Sequence, residues 1–550
     1  MQLPQPRRFT RRALMGASAA LLAAGGAALA LRGSGFGPRP QSDDRTLVRG
    51  NNAEPDTLDP ALYSTSYEDA IIGEMFVGLM TDNAAAEQIP GAAESYRASA
   101  DGLTYTFRIR DHCWSDDVPV TAEDFVWSFR RVLDPKTAAQ YASLFYPIVN
   151  AEAVNGGHLP PEALGVRALD ARTLEIRFAV QVPYVEKLLS RPCFYPVPRH
   201  VVQRYGENWT DPGKMIGNGP YKLREWVPNE HIALEWNPCF YEANRVKVRR
   251  VVIQPTQDYA AALMRFRTGA LDIDVDVPSQ DIGWVKRNLP GSMHISPYAL
   301  TEYVLFNVRA KPVDDVRVRT ALSLAIDRDT IVSRVMGAGE AAAWSFVPPH
   351  MPNYPATAGL RFRHMPMQER RASARALLAA AGYGPSQPLA FDFNITTEST
   401  TRLVAVALQS MWKAIGADVR IVPSDEKDHY NLLLKQNYSV AWAAWVADYL
   451  DPKNFLMLGA TGSGLLNNGA YSNPKFDALI ARSDAIADAG ARGQCLAEAE
   501  QIMLDDAAFA PIYFGVTRTL VSPAVRGWVD NPVNIHRTRW LSLDRTRALV

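Results

Sequence analysis

"AAWVADYLDP" (443–452) follows an apolar approach that begins at Tyr438, and it sets two carboxylates, Asp448 and Asp451, close to Trp442, Trp445 and Tyr449. A surface loop has no need of the tryptophans. A core strand tolerates a carboxylate only where something pairs with it. The stretch therefore reads as a strand that leaves the core and stops. Trp445 and Asp448 are three apart, so a straight strand puts them on opposite faces. For both to face one ligand, the strand must end near Val446. Asp451, followed by Pro452, suits a turn that opens the next segment.

The same alternation of elements extends in both directions from this strand. "LTYTFRIR" (103–110) and "RTLEIRF" (172–178) alternate as half-buried strands. "GNGPYKLREWV" (217–227) is a glycine turn entering a strand, with "HIALEWNP" (231–238) as its hairpin partner. Further strands are read at 249–255, 270–278, 302–308, 389–395, 418–423 and 510–522. Helical spacing marks 68–80, 368–384, 399–415, 475–487 and 492–506. "VTAEDFVWSFRRVLDP" (120–135) carries its own punctuation: Thr121 to cap, Asp124 three residues later, Pro135 to stop. "VDDVRVRTALSLAIDRDTIVSRVMGAGE" (313–340) reads as two helices opened by Asp315 and Asp327 and ended by Gly337. Strands and helices in alternation define an α/β chain, and 550 residues are too many for one core, so two or three domains are expected.

Composition narrows the function. The formal net charge is +0, which gives no basic surplus for nucleic acid. Twelve Trp and 21 Tyr suit a protein that grips ligands against flat apolar walls. The N-terminal "QPRRFTRRALMGASAALLAAGGAALALRG" has arginines, then an Ala/Leu run, then Ala28-Leu29-Ala30, the layout of a cleavable export signal over residues 1–30. "TRRALMG" (10–16) also fits the twin-arginine pattern. An uncleaved membrane anchor is the alternative reading of the same run. Residues 31–45 read as a linker. Cys113, Cys193, Cys239 and Cys495 contain no CxxC, and one bridge or none is expected.

Enzyme signatures are missing from the sequence. It has no HExxH, no GxSxG and no Walker loop, and "GAGEAA" (337–342) lacks the last glycine of a dinucleotide turn. None of the nine histidines pair at helical metal-ligand spacing. The pairs Asp116–Asp117 and Asp314–Asp315 fall at turn and cap positions. A binding protein without catalysis, cofactor or metal is the reading these residues support.

Several stretches, in order, resemble one family, the extracytoplasmic oligopeptide-binding proteins (solute-binding family 5) of ATP-binding-cassette importers. They are "RGNNAEPDTLDPALYSTS", "GEMFVGLM", "DGLTYTFRIRDHCWSDDVPVTAEDFVWSFRRVLDPKTAAQYAS", "GNGPYKLREWV", "DDVRVRTALSLAIDRDTIV", "WVADYLDPKNFL" and "NNGAYSNPKFDALI". The resemblance implies a periplasmic-binding-protein-like (class II) fold of two lobes plus an extra third domain. Domain I would comprise 46–76, 199–299 and 517–550, domain II 77–198, and domain III 300–516, with two strands crossing near Leu300 and Val516 as the hinge. It further implies a soluble periplasmic monomer that delivers oligopeptides to an inner-membrane permease. By the same resemblance Asp448 pairs with the α-ammonium of a bound peptide, Trp445 lines the pocket and Tyr141 stands at its mouth. Tyr298 and Tyr303, near the hinge, are further candidates.

Departures from the family pattern bear on the substrate. Ser64 is the nearest match to a family glutamate. Trp442 replaces an arginine that helps hold the carboxylate of short peptides, Glu426 replaces a pocket tryptophan, and Gly515 replaces a pocket tyrosine and would enlarge the pocket. Unless Lys435 or Arg402 supplies the missing charge, longer peptides or a modified amine-bearing ligand are expected over tripeptides. An opine, sugar derivative or metal chelate bound in the same fold, and an extracellular hydrolase with a site built from distant residues, stand as the other readings.

Overall fold

Two long strands, Met293–Phe306 and Phe509–Val521, run side by side through the middle of an eleven-stranded sheet. This is a computed structural model, and it describes residues 45–349 and 351–547. The expected export signal, and all of the linker before Arg45, lie outside the described residues. Across the sheet the order is Ala417–Ser424, Leu389–Thr396, Val440–Val446, the two long strands, Ile273–Asp274, Thr46–Asn51, Arg250–Pro255, His231–Trp236 and Tyr221–Val227. Ala341–Ala342 pairs off this path with Phe509–Val521.

The halves on either side of the long strands are two lobes. In the first, Thr46–Asn51 pairs parallel with Arg250–Pro255, and the hairpin Tyr221–Val227/His231–Trp236 finishes the edge. In the second, Leu389–Thr396 pairs parallel with Ala417–Ser424 and with Val440–Val446. A separate four-stranded antiparallel sheet is ordered Ala93–Ala98, Thr104–Ile109, Thr173–Arg177 and Val166–Asp170. Its core is continuous with that of the first lobe: Phe107, Phe125 and Phe129 belong to the same buried cluster as Val251 and Ile253. Among the described residues all four cysteines are thiols. Cys113 and Cys239, distant in sequence, meet Asp117, with one ligand atom from each within 4.8 Å of the others.

Pairing between the long strands is interrupted where the lobes meet. Pro297 lies opposite Val516 and Thr301 opposite Phe514, so Tyr298, Ala299 and Leu300 face Gly515 alone. This is a bulge, the local device that bends a strand and raises its twist. It corrects the expectation for Gly515. A Cβ there would lie 2.5 Å from Leu300 Cδ2, so the volume released by the glycine is filled by Leu300 rather than left as pocket space.

Local punctuation formed helices where it was self-sufficient. Helix Ala122–Leu133 starts with Asp124 Oδ2 accepting from Thr121 N at 2.8 Å, and it buries Phe125, Val126, Phe129 and Val132. Helix Ser66–Met75 is shorter than its apolar run. The helix expected over 68–80 ends at Met75 because the side chain of Asn218 takes both backbone groups of Val77, with bonds of 3.0 and 2.9 Å. The same glycine turn presses against the helix end. Cβ atoms at Gly217 and Gly219 would lie 2.2 Å from Met75 O and 2.4 Å from Met75 C, respectively. Backbone cannot yield as a side chain can, so Gly219→Ala is expected to lower stability by about 1–3 kcal/mol. A denaturant midpoint for the variant equal to that of the wild type would contradict this packing.

Candidate ligand-binding site

Strand Val440–Val446 ends at the residue that the Trp445/Asp448 spacing requires. Beyond it Ala447 N bonds Ala299 O at 2.8 Å, and the chain turns into the short helix Lys453–Leu456. Asn454 in that helix is fully buried and fixes the turn. Its Oδ1 accepts from Trp445 Nε1 at 3.0 Å and from Asp448 N at 3.1 Å, and its Nδ2 donates to Asp448 Oδ2 at 3.1 Å. One amide thus holds the indole and the carboxylate together.

The two aspartates of the opening stretch have opposite electrostatic fates. Asp451 is buried and bound by Arg492 through two hydrogen bonds of 2.8 and 2.9 Å. Asp448 forms no ion pair with any lysine or arginine among the described residues, and Arg191, the guanidinium whose charge reaches it, is bound to Asp69 and Asp82 at 3.2 and 3.0 Å. Burial pushes the Asp448 carboxyl up to about 6, against hydrogen bonds from Asn454 and Tyr141 and the charge of Arg191. Tyr141 stacks on Tyr63 with ring centroids 4.9 Å apart. Across from them Tyr449 stacks on Tyr184 at 5.1 Å, and Lys187 Nζ donates to Leu450 O at 2.5 Å. The segment after Asp448 is therefore in contact with residues 184–187 of the region bearing the four-stranded sheet.

Four sequence candidates converge here: Asp448, Trp445, Tyr141 and Tyr298, whose phenol is raised by burial and by the charges of Asp69 and Asp448. Two others, Trp442 and Glu426, lie apart from these, Trp442 bonding Glu302. Trp442 is buried in the second lobe with its ring 6.3 Å from that of Tyr513, and Glu426 lies exposed in the first turn of helix Glu426–Leu434. Tyr303 is a core residue, packed edge-on against Phe346 at 4.9 Å and Phe509 at 5.5 Å, which corrects its placement in the pocket. Ser64 is engaged at a helix start, its N donating to Glu68 Oε2 at 2.7 Å. Arg402 and Lys435 are exposed. Sequence reasoning missed Tyr63 and Asn454. Asn454 carried the one usable signal, an Asn just inside a Pro-opened turn, where a side-chain amide serves backbone groups.

Two lobes joined by paired strands, with an unneutralised carboxylate between them, define the class of a solute-binding protein. The family described as bacterial extracellular solute-binding proteins, family 5 Middle, matches residues 87–466, and the chain belongs to it. The periplasmic oligopeptide-binding protein OppA of Salmonella typhimurium is 36% identical over 493 residues, covering 88% of this chain and 90% of that protein. OppA of Haemophilus influenzae, solved in complex with RPPGFSPFR, superposes with a TM-score of 0.85 at 32% identity, over 91% of this chain and 99% of that one. The murein tripeptide-binding protein MppA of Escherichia coli gives 0.86 at 34% identity, over 90% and 98%. Its unliganded open form gives only 0.70 at the same identity, over 91% and 97%. The lobes described here thus stand further from that open arrangement.

Two outcomes follow from the contrast between the aspartates. Arg492→Met leaves Asp451 buried without its cation and is expected to cost about 3–5 kcal/mol in a denaturant titration, whereas a loss under 1 kcal/mol would show the pair to be incidental. For Asp448 the folded pKa of about 6 lies above the ordinary 3.8. The folded state holds that proton more tightly than the unfolded chain, so the contribution is full below about pH 4 and is lost as pH rises through about 6. Asp448→Asn is therefore expected to stabilise the ligand-free protein by about 1–3 kcal/mol above pH 6, with the gain closing toward pH 4. Thermal melts across this range check it, and a variant less stable than wild type at neutral pH contradicts it.

Proposed function

We propose that this chain is the extracytoplasmic receptor of an ATP-binding-cassette importer, that it captures oligopeptides by closing two lobes on them, and that it delivers them to an inner-membrane permease. The observation that carries this is the half-buried Asp448, held by Asn454 and paired with no lysine or arginine among the described residues. The oligopeptide-binding names of the relatives support the ligand class. The chemistry is recognition, with no covalent step. A peptide's α-ammonium restores to Asp448 the favourable surroundings that water gave it. At about 4 Å such a pair interacts by about 1 kcal/mol in bulk water and about 4 kcal/mol at an effective dielectric of 20. Trp445 and the Tyr63/Tyr141 stack supply apolar walls to the same place. The attraction exists in full only when the lobes exclude water, so the ligand binds the closed state better and shifts the population toward it. Peptide backbone would be held by strand-like hydrogen bonds and side chains in wet pockets.

The twin-arginine-like leader supports export to the periplasm. No helix among the described residues is long and apolar enough to cross a membrane. The protein would act as a monomer, with the domain limits given by the resemblance.

Calorimetry with a free-amine peptide and its N-acetylated form tests the reading. Asp448→Ala should weaken the free-amine peptide by roughly 100- to 1000-fold, as expected for one lost partner of a buried pair, and the acetylated form far less. Wild-type affinity for the free amine should also fall as pH drops below about 6, where a proton competes for Asp448. Equal losses for both peptides would sink the assignment, and a non-peptide ligand found by mass spectrometry of the purified protein would replace the ligand class.

A further inference from the structure

Two thiols meet outside the binding site, and the mechanism above leaves them unused. Cys113 and Cys239 are 126 residues apart, yet their Sγ atoms and a carboxylate oxygen of Asp117 all lie within 4.8 Å of one another. Cys113 Sγ rests 3.9 Å from Cys239 O, and Cys239 Sγ donates to Asp117 Oδ1 at 3.1 Å. Both cysteines are half-buried, so a dissolved disulfide can reach them. The other two differ. Cys193 is buried in the core that the first lobe shares, and Cys495 is buried on helix Ala489–Asp505.

The backbone holds the pair in place. Cys113 follows strand Thr104–Ile109 and sits in a tight turn, bridged to Pro119 and closed by Trp114 N bonding Val118 O at 2.7 Å. Cys239 follows strand His231–Trp236, its N donating to Asn237 Oδ1 at 3.1 Å. The two loops share an anchor, the glycine turn that packs on Met75. Ser115 N bonds Gly217 O at 2.9 Å, and Asn237 Nδ2 bonds Gly219 O at 2.8 Å. Neither thiol has to search for the other, which removes most of the entropy cost of joining them. Burial, then the hydrogen bonds with Asp117 and Cys113, push the Cys239 thiol up to about 12. That slows its exchange but leaves the two sulfurs side by side.

We propose that Cys113 and Cys239 close to a disulfide after export, and that this bond staples the region bearing the four-stranded sheet to the first lobe. One thiolate attacks an external disulfide, of low molecular weight or of a protein, and expels one of its sulfurs as a thiolate. The second thiolate then attacks the mixed disulfide and expels the other. One S–S bond forms in the protein and one is lost from the reagent, two S–H protons pass to the expelled thiolates, and two electrons go to the reagent. The inference rests on the export reading above only for the oxidising surroundings in which such bonds persist. The bond would close a loop over chain 113–239, and cross-links across long loops restrict the unfolded chain most.

The test takes the purified full chain, reduced and then exposed while folded to oxidised glutathione, so it does not depend on export. Counted after unfolding, the four thiols should fall to two, and a non-reduced digest should contain one joined peptide pair, linked through Cys113 and Cys239. Cys113→Ser and Cys239→Ser should each give no cross-link. Oxidation should raise the thermal midpoint of the wild type by roughly 3–6 °C and leave that of either variant unchanged. Four thiols remaining, glutathione adducts on both cysteines without a cross-link, or a bridge from either to Cys193 or Cys495 would overturn the pairing. Retention of all four thiols together with a tightly bound zinc ion, after incubation with that metal, would overturn it too and make the cluster a metal site. A cross-link that leaves the wild-type midpoint unchanged would overturn the staple. Each of these contrary outcomes leaves the receptor reading intact.

Discussion

A carboxylate that no lysine or arginine among the described residues pairs with is the constraint on which the rest of the structure depends. Asp448 could have been neutralised as Asp451 is, by an arginine delivered from helix Ala489–Asp505. Instead it receives only neutral donors, chiefly the Asn454 amide. Neutral hydrogen bonds fix where the oxygens point and leave the charge uncompensated. Such a group is tolerable when the lobes part and water reaches it. It is unfavourable when they close empty, and stable when they close on a cation. On the proposed reading the same side chain would serve recognition and bias the conformational equilibrium.

The sheet carries that bias mechanically. Trp445 lies directly opposite Thr301, the first paired residue after the bulge, and Ala447 bonds Ala299 within the bulge itself. The Trp445 end of strand Val440–Val446 is therefore built onto the point where the long strands change register. A change of angle between the lobes there moves Trp445 and Asp448 together, since Asn454 ties them to each other. Hinges act through a few such positions while packed elements on either side move as units. On the far side, the Tyr184–Tyr449 stack and the Lys187–Leu450 contact meet the same loop, so three parts of the chain converge within a few residues of Asp448.

What was legible in the sequence was what short segments decide for themselves. Helix Ala122–Leu133 carried its cap, apolar face and stop within one stretch. The end of strand Val440–Val446 followed from the spacing of Trp445 and Asp448. Distant partners decided the rest. Phe76–Leu79 had helical spacing, but an asparagine 141 residues away took the backbone of Val77. Tyr298 and Tyr303 looked equivalent beside the hinge. The bulge between them sends the first toward Asp448 and leaves the second to pack on Phe346 and Phe509. Gly515 suggested empty space until Leu300 proved to occupy it. The resemblance to a family located Asp448, but the absence of a compensating cation is a property of the folded arrangement.

That property can be measured by counting protons. A free-amine pentapeptide of alanine keeps its ammonium at about pH 5.5, where a carboxyl titrating at about 6 is largely protonated in the empty protein. Calorimetry in buffers of differing ionisation enthalpy should show that binding releases a large fraction of a proton, and that Asp448→Asn abolishes the release. Binding with no proton released, or with the same release in Asp448→Asn, would contradict the account.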